Sequence, residues 1–302
     1  MIKISAIICT YNREKYLQQC LEACTKQTLH KEDFEIIVVN NNSTDNTKSV
    51  CDTFKKEYPQ FIFRYYEEKQ QGLSPARNTG VKEAHAPYLT FLDDDAFIAE
   101  DFLQVVVSYF ENNSQVASVG GKILLHYEGK IPRWGNKYLN SLLGYFDIGN
   151  EIKPFPKKYY PRGSNMSFKK ELFDLYGYFN VELGRKGGNL VGSEEKELFE
   201  RFSQTNIGIH YVPQAVVFHC VPESRTTTEF IKKQALGTGI GERSRMKSYT
   251  RKQHLKYFLR ETKNWIGSIV LFFLFLFKAQ PYKAYMIIMF RVWLLKGLNT
   301  KQ

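Results

Sequence analysis

The sequence predicts an α/β chain built on a parallel sheet and followed by a helical tail, and three observations carry that expectation. Short apolar runs alternate with segments of helical period; the run Tyr88-Leu89-Thr90-Phe91-Leu92 ends in Asp93-Asp94-Asp95; and the C-terminal stretch turns first basic and then uncharged. In order, Ile4 to Cys9 and Phe34 to Val39 read as strands separated by a helix over Lys15 to Thr25. A third strand is expected at Phe61 to Tyr65. The glycine-bounded segment Gln71 to Gly80 then opens a helix running toward His85, and the strand that ends in the carboxylates follows. This alternation predicts one α/β layer architecture through about residue 125. The first run passes directly into Thr10-Tyr11-Asn12-Arg13 without a basic leader, so it reads as a strand and not a signal peptide.

Three consecutive like charges stay together in a folded chain when water, a cation or basic side chains neutralise them. In open α/β sheets ligands collect outside the carboxyl ends of the strands, where this cluster would sit. A metal site and a solvated acidic turn are both open on these residues alone. In Ser193-Glu194-Glu195-Lys196-Glu197-Leu198-Phe199-Glu200-Arg201-Phe202, Glu195 shares a helical face with Leu198, Phe199 and Phe202, while Glu194 and Glu197 point elsewhere. A carboxylate on an apolar stripe is unusual; Ser193 would cap that helix, and its N-terminal dipole would favour the ionised acid. Catalysis and simple dipole stabilisation both remain open for Glu195. The run Ala215-Val216-Val217-Phe218 ends in His219-Cys220, where an imidazole serves either structure or a metal. Trp134, in an aromatic- and glycine-rich middle without steady period (Leu125 to Tyr160), is either a stacking platform for a sugar ring or a buried side chain.

The chain has 302 residues, 43% of them hydrophobic, ample for a core. Its five cysteines show no paired spacing, which suits a reducing cytoplasm and core packing. The net charge of +11 is concentrated between Arg225 and Lys263, with eleven basic residues against three acidic. Trp265 to Phe277 is then an uncharged run, followed after Lys278 and Pro281 by a second apolar stretch, Tyr285 to Leu295, broken by Arg291. Neither reaches the roughly 20 apolar residues of a spanning helix. A basic segment leading into apolar residues flanked by Trp and Tyr predicts an in-plane or re-entrant membrane anchor, peripheral to the inner face of the cell membrane. A pair of helices buried on protein is the competing expectation. Nucleic-acid binding by the basic segment is disfavoured because its charges lead into apolar sequence.

Taken together, Ile7-Ile8-Cys9-Thr10-Tyr11-Asn12-Arg13, Val39-Asn40-Asn41-Asn42-Ser43-Thr44-Asp45, Gly72 through Gly80, Asp93-Asp94-Asp95, Gly163-Ser164-Asn165-Met166, Ser193-Glu194-Glu195 and His219 resemble, in order and spacing, the family 2 glycosyltransferases. The resemblance covers about residues 4 to 245. It implies the GT-A fold, a Rossmann-like mixed sheet with helices on both faces, as a catalytic domain over 1–245; the basic and apolar pattern makes 246–302 the expected membrane-associating tail. It implies inverting transfer of a sugar from a nucleotide donor to a glycan or lipid-linked acceptor, with a divalent cation, Mg²⁺ or Mn²⁺. A non-catalytic nucleotide-sugar-binding module on the same fold is the alternative.

By the same resemblance, Thr10, Tyr11, Asn12, Arg13, Asn41, Asp45, Arg77, Asp93 and Asp94 would line the donor-nucleotide site, with Asp94 mainly a spacer. Asn165, Trp134 and Glu194 would lie around donor sugar and acceptor, Asp95 and His219 would hold the metal, and Glu195 would be the catalytic base. The glycine-rich loop at Arg185 to Asn189 would close over the donor and exclude water. Two departures qualify the expectation. Asn40-Asn41 stands where many members carry Asp-Asp; an amide carbonyl still accepts from a pyrimidine N3–H, so a UDP- or dTDP-sugar is expected. The Gln-any-any-Arg-Trp motif of processive members is absent, which predicts single addition.

Overall fold

A computed structural model describes residues 1–185, 194–205, 207–246 and 249–300. The first strand, β1 (Ile4–Thr10), and the second, β2 (Phe34–Asn40), are mostly apolar and buried on both faces, as strands in the middle of a parallel sheet are, with Ser5 and Glu35 as an internal polar pair. Between them α1 (Glu14–Thr25) buries Leu17, Cys20, Leu21 and Cys24, the i, i+3, i+4, i+7 stripe that its sequence predicts. Helix α2 (Thr47–Glu57), strand β3 (Ile62–Glu67), helix α3 (Leu73–Glu83) and strand β4 (Tyr88–Asp93) complete the alternation. Gly80 lets α3 close on β1: a Cβ there would lie 2.4 Å from Ile7 Cγ2.

Beyond β4 come β5 (Ala96–Ile98), α4 (Phe102–Asn112), β6 (Val116–Gly120), β7 (Ile123–Tyr127), β8 (Lys153–Pro154), β9 (Met166–Lys169), α5 (Glu171–Tyr176), α6 (Glu194–Ser203), β10 (Gly208–Tyr211) and β11 (Val217–Val221). The main sheet has the order β3-β2-β1-β4-β9-β6-β10-β8. Its first four strands are parallel, and β9 inserts antiparallel between β4 and β6, so the sheet is mixed. Register sets the function: Thr10 aligns with Asn40, and Cys9 with Asp93, so three strand ends open onto one edge. Strand β11 pairs antiparallel with β5, placing His219 opposite Ala96. His219 thus sits inside a strand, where the sequence places it just beyond one.

The chain divides into two compact units, 1–124 with 146–220, and 125–145 with 221–302. In the second, α7 (Thr228–Met246), α8 (Arg251–Phe277) and α9 (Pro281–Asn299) share a core with Trp134, Leu139 and Leu143. Helices α7 and α9 meet through glycines: a Cβ on Gly239 would fall 2.2 Å from the Leu294 carbonyl, and one on Gly297 2.2 Å from that of Leu236. Thr250 and Gln253 form a reciprocal capping box that starts α8, and Pro281 starts α9. Among the described residues no helix is long and apolar enough to cross a membrane.

One buried charge ties the sheet together away from its functional edge. Glu35, on β2, accepts from Ser5 Oγ at 2.6 Å, from the His85 amide at 2.7 Å and from Arg64 Nε at 2.8 Å. Burial alone would raise its carboxyl, but these donors together hold it below its ordinary range. A lowered acid contributes stability above its unfolded value and loses it as pH falls through the folded one. Glu35→Gln is therefore expected to cost about 2 kcal/mol at neutral pH. Urea titrations of both proteins should show that gap closing below about pH 4.

Candidate active site

The edge opened by β1, β2 and β4 gathers the acidic run, and backbone geometry gives each of its members a different neighbour. Asp93, last in β4, keeps a 38% exposed side chain. Asp94 turns inward and accepts from Thr10 Oγ1 at 2.8 Å, so it ties the end of β4 to the end of β1. It is more than a spacer. Burial, reinforced by the neighbouring Asp95 charge, pushes its carboxyl up to about 7. Asp95 is buried, accepts from Arg13 Nη1 at 2.8 Å, and lies 3.3 Å from His219 Nε2. The Cys220 amide, donating to the Asp95 carbonyl at 2.8 Å, locks β11 against this turn and brings the imidazole to the carboxylate.

Across the edge stands a second acidic group. Arg77, on α3, is only 2% exposed. Its Nη1 donates to Glu194 Oε1 at 3.0 Å and its Nη2 to Glu195 Oε1 at 3.2 Å, while Nη2 lies 3.9 Å from Asp93 Oδ1. The Phe179 ring lies beneath the guanidinium, 5.4 Å from centroid to Cζ. Arg77 is therefore taken up by carboxylates, where the sequence assigns it to the nucleotide. Glu194 corrects the helical-wheel reading as well. Neighbouring residues in the first turn are about 100° apart, and a guanidinium with two separate NH₂ groups reaches both. Of the pair, Glu194 is the more deeply buried and Glu195 the more accessible, with side chains 6% and 21% exposed. Burial raises the Glu195 carboxyl; Glu194 and Asp93 raise it further, against Arg77 and Arg162, which lower it.

Two further residues shape the site: Gly163, which opens the motif Gly163-Ser164-Asn165-Met166, and Arg162, which the sequence analysis does not single out. A Cβ on Gly163 would lie 2.2 Å from Glu195 Oε1 and 2.5 Å from Arg77 Nη2, so its backbone forms a wall of the glutamate site. Arg162, stacked on Tyr160 at 4.9 Å and on Phe146 at 5.4 Å, directs a second positive charge toward Glu195. For Arg162 the sequence signal is a basic residue following aromatic sequence, Tyr159-Tyr160-Pro161-Arg162.

Several expected ligand contacts are instead spent on the scaffold. Asn12, at φ +54°, accepts from the Thr44 amide, and its own amide donates to Ser43 Oγ, joining the loops after β1 and β2. Asp45 accepts from the Thr47 and Glu14 amides, steadying the starts of α2 and α1. Asn41 donates to the carbonyls of Glu68 and Gln70, and its Oδ1 accepts from the Gly72 amide and from Gln71 Nε2. With both lone pairs used, it has no acceptor left for a base N3–H, which corrects the expected pyrimidine contact. Asn165 donates to the carbonyls of Lys122 and Ala215, and its Oδ1 is buried without a partner. Trp134 is 2% exposed and donates its indole N–H to the Thr226 carbonyl, so it has no ring face for a sugar. Tyr11, the aromatic residue of the loop after β1, is exposed at this edge. Ser193 and the loop residues 186–189 lie outside the described residues. The preceding leg is anchored: the Leu73 amide donates to the Arg185 carbonyl and Ser74 Oγ to that of Leu183.

A mixed sheet of this order, with an acidic run at the carboxyl end of a central strand and a glutamate pair facing it, defines a GT-A enzyme that moves a sugar from a nucleotide-sugar donor. The chain belongs to glycosyl transferase family 2, whose family model matches residues 5–177. It is similar to the glucosyl-dolichyl phosphate glucuronosyltransferase of Haloferax volcanii, 26% identical over 247 residues, which span 80% of this chain and 77% of that one. Several other curated relatives are matched over less than half of their own length. Among solved structures, the mannosyltransferase PcManGT from Pyrobaculum calidifontis, in complex with GDP-Man and Mn²⁺, superposes with a TM-score of 0.64 at 18% identity, covering 99% of this chain and 88% of that one. S. aureus TarS 1-349 in complex with UDP-GlcNAc gives 0.53 at 17%, covering 78% and 66%. At such identities the structural likeness is one of fold.

The close approach at Gly163 generates a test of the site's geometry. Gly163→Ala should displace the Glu195 carboxylate and the Arg77 guanidinium from their present positions, and kcat is expected to fall by about 10²-fold, the scale an ångström's misplacement costs in a site. Steady-state kinetics beside a thermal melt will separate this from unfolding, because the melt should move little.

Proposed function

We propose that the enzyme is an inverting, metal-dependent, single-addition glycosyltransferase in which Glu195 is the general base, acting on a glycan or lipid-linked acceptor at the inner face of a membrane. The observation that carries the reading is the sharing of buried Arg77 by Glu194 and Glu195 beside Asp93. It holds one accessible carboxylate at the edge where a donor would lie, with an acidity moved toward neutral pH, as a base needs. Burial, with Glu194 and Asp93 nearby, raises the Glu195 carboxyl against the lowering by Arg77, which leaves it basic enough to accept a hydroxyl proton. In a single in-line displacement the acceptor oxygen loses its proton to Glu195 as it attacks the anomeric carbon, on the face opposite the departing nucleotide diphosphate.

The donor set fits a hard divalent cation. Asp95 Oδ1 and His219 Nε2 are 3.3 Å apart, close to the roughly 3 Å that separates adjacent ligands of one octahedral ion. His219 Nδ1 is buried without a partner, so the ring's other nitrogen is the one turned to the carboxylate. Among the described residues no cluster of three or more protein ligands exists, which suits a cation completed by diphosphate oxygens and water. Asp93, Asp94 and Asp95 with Glu194 and Glu195 outnumber Arg13 and Arg77, and an anionic diphosphate approaching this edge needs added positive charge. When bound, the cation would offset charge on the leaving diphosphate. Asp95 and His219 would hold it, Arg13 would orient Asp95, and Asp93 would face ribose or donor sugar. The two structures of like fold described above were solved with GDP-Man and UDP-GlcNAc. With Asn41 committed to the scaffold, the base is best found by screening UDP-, dTDP- and GDP-sugars for diphosphate release.

Glu195→Gln should lose about 10²- to 10⁴-fold in kcat while still binding nucleotide. Because the base must be ionised, wild-type kcat/KM should rise with pH along a limb lying above the ordinary carboxylate range. Arg77→Met should move that limb to still higher pH, and an unmoved limb would remove Arg77 from this role. Asp95→Ala should abolish transfer and the response to Mn²⁺ titration after EDTA treatment; full turnover in EDTA refutes the cation.

A further inference from the structure

The second unit carries a helix whose amphipathic order is reversed relative to water. Helix α8 buries Tyr257 and Ser268. Toward α9 it spends its polar groups: Arg291 Nε donates to Ser268 Oγ at 3.0 Å, and Arg291 Nη1 lies 3.6 Å from Glu261 Oε2. The opposite face is apolar and exposed. Leu255, Leu259, Ile266, Val270, Phe273 and Phe277 are all at the surface, Phe277 with 92% of its area open. At 100° per residue these six fall within an arc of about 60°. The stripe runs the length of a 27-residue helix, roughly 40 Å.

A soluble monomer rarely exposes so continuous an apolar face. The charges around it indicate what covers it. Lys252, Lys256 and Lys263 line one edge of the stripe and are exposed. Glu261 is the one acid in α8, and it is engaged with Arg291 and Arg260. A second copy of the helix would set one lysine edge against another with no acid to answer it. An anionic lipid surface answers both features, taking the stripe into its acyl boundary and the lysines to its phosphates. Tyr282 and Tyr285, exposed at the start of α9 and stacked at 6.3 Å, present rings with polar tips suited to the headgroup layer.

We infer that α8 is an interfacial docking helix that lies in the plane of an anionic phospholipid surface, its Leu255-to-Phe277 stripe embedded and its lysine edge on the headgroups. This deepens the proposal of transfer at a membrane face by naming the surface that meets it.

The test is co-sedimentation of the full chain with phosphatidylcholine vesicles, with and without phosphatidylglycerol, at low and high salt. Wild type should sediment with the anionic vesicles, and salt should weaken it. Phe273→Ser with Phe277→Ser should weaken binding at least about tenfold at every salt. Lys252→Gln, Lys256→Gln and Lys263→Gln together should erase the preference for anionic vesicles, at roughly fivefold per lysine. Wild type left in the supernatant, or a double-serine variant that sediments as wild type does, overturns the docking helix. So does a wild-type dimer in sedimentation velocity that the double-serine variant dissociates, since the stripe is then a self-interface. Diphosphate release from the donor, followed in the same preparations, keeps the two proposals apart: turnover without vesicle binding refutes the surface alone, and vesicle binding without turnover refutes the catalytic reading alone.

Discussion

The candidate active site depends on one buried cation. A guanidinium taken out of water is costly unless its donors and its charge are both answered, and Arg77 is answered by Glu194, Glu195 and, more distantly, Asp93. Those partners come from α6 and β4, while Arg77 comes from α3, so one ion-pair network binds three elements distant in sequence. It also explains the glycine at 163, since any side chain there would enter the space that Glu195 and Arg77 occupy. The network is strained in charge, with three carboxylates around one cation. Burial is the main reason Glu195 is less acidic than a solvated glutamate, and Glu194 and Asp93 add to it against the pull of Arg77.

Strand register supplies the second constraint. Because β1 aligns with both β2 and β4, Thr10, Asn40 and Asp93 reach the same edge, and the chain has to turn there three times. The turns consume polar side chains. Asn12, Asn41 and Asp45 hold one loop to another, while Tyr11, Asp93 and Glu195 keep part of their surface exposed at the edge. The acidic run illustrates the same economy within three residues: Asp94 faces the sheet and Thr10, Asp95 faces Arg13 and His219, and Asp93 faces outward.

The C-terminal unit follows a different logic. Gly239 and Gly297 allow α7 and α9 to touch backbone to backbone, and Arg291 is accommodated through Ser268 and Glu261, which leaves α8 its apolar residues on the outside. A face of this kind is a feature of the second unit by itself, and its lysine border distinguishes it from a failed core.

Much of this was legible from the chain alone. Apolar runs bounded by turn residues specified β1, β2 and β4, because burial on both faces favours apolar side chains and admits a polar one only where a partner answers it, as Ser5 answers Glu35. The motif order identified the family, and Asp95, His219 and Glu195 stood out as candidates because carboxylate, imidazole and a stripe-borne acid are chemically conspicuous. Partner choice was not legible. That Arg77 would serve two glutamates more than a hundred residues away, that Asn41 would exhaust its amide on loop carbonyls and that Trp134 would be buried beneath Thr226 are outcomes of tertiary packing. A polar side chain bonds to whatever donor or acceptor the fold brings within about 3 Å, and no local pattern in the sequence encodes which one that is. The chain by itself determined which chemistry was present at the sheet's edge; the tertiary structure decided which of those groups were left free to perform it.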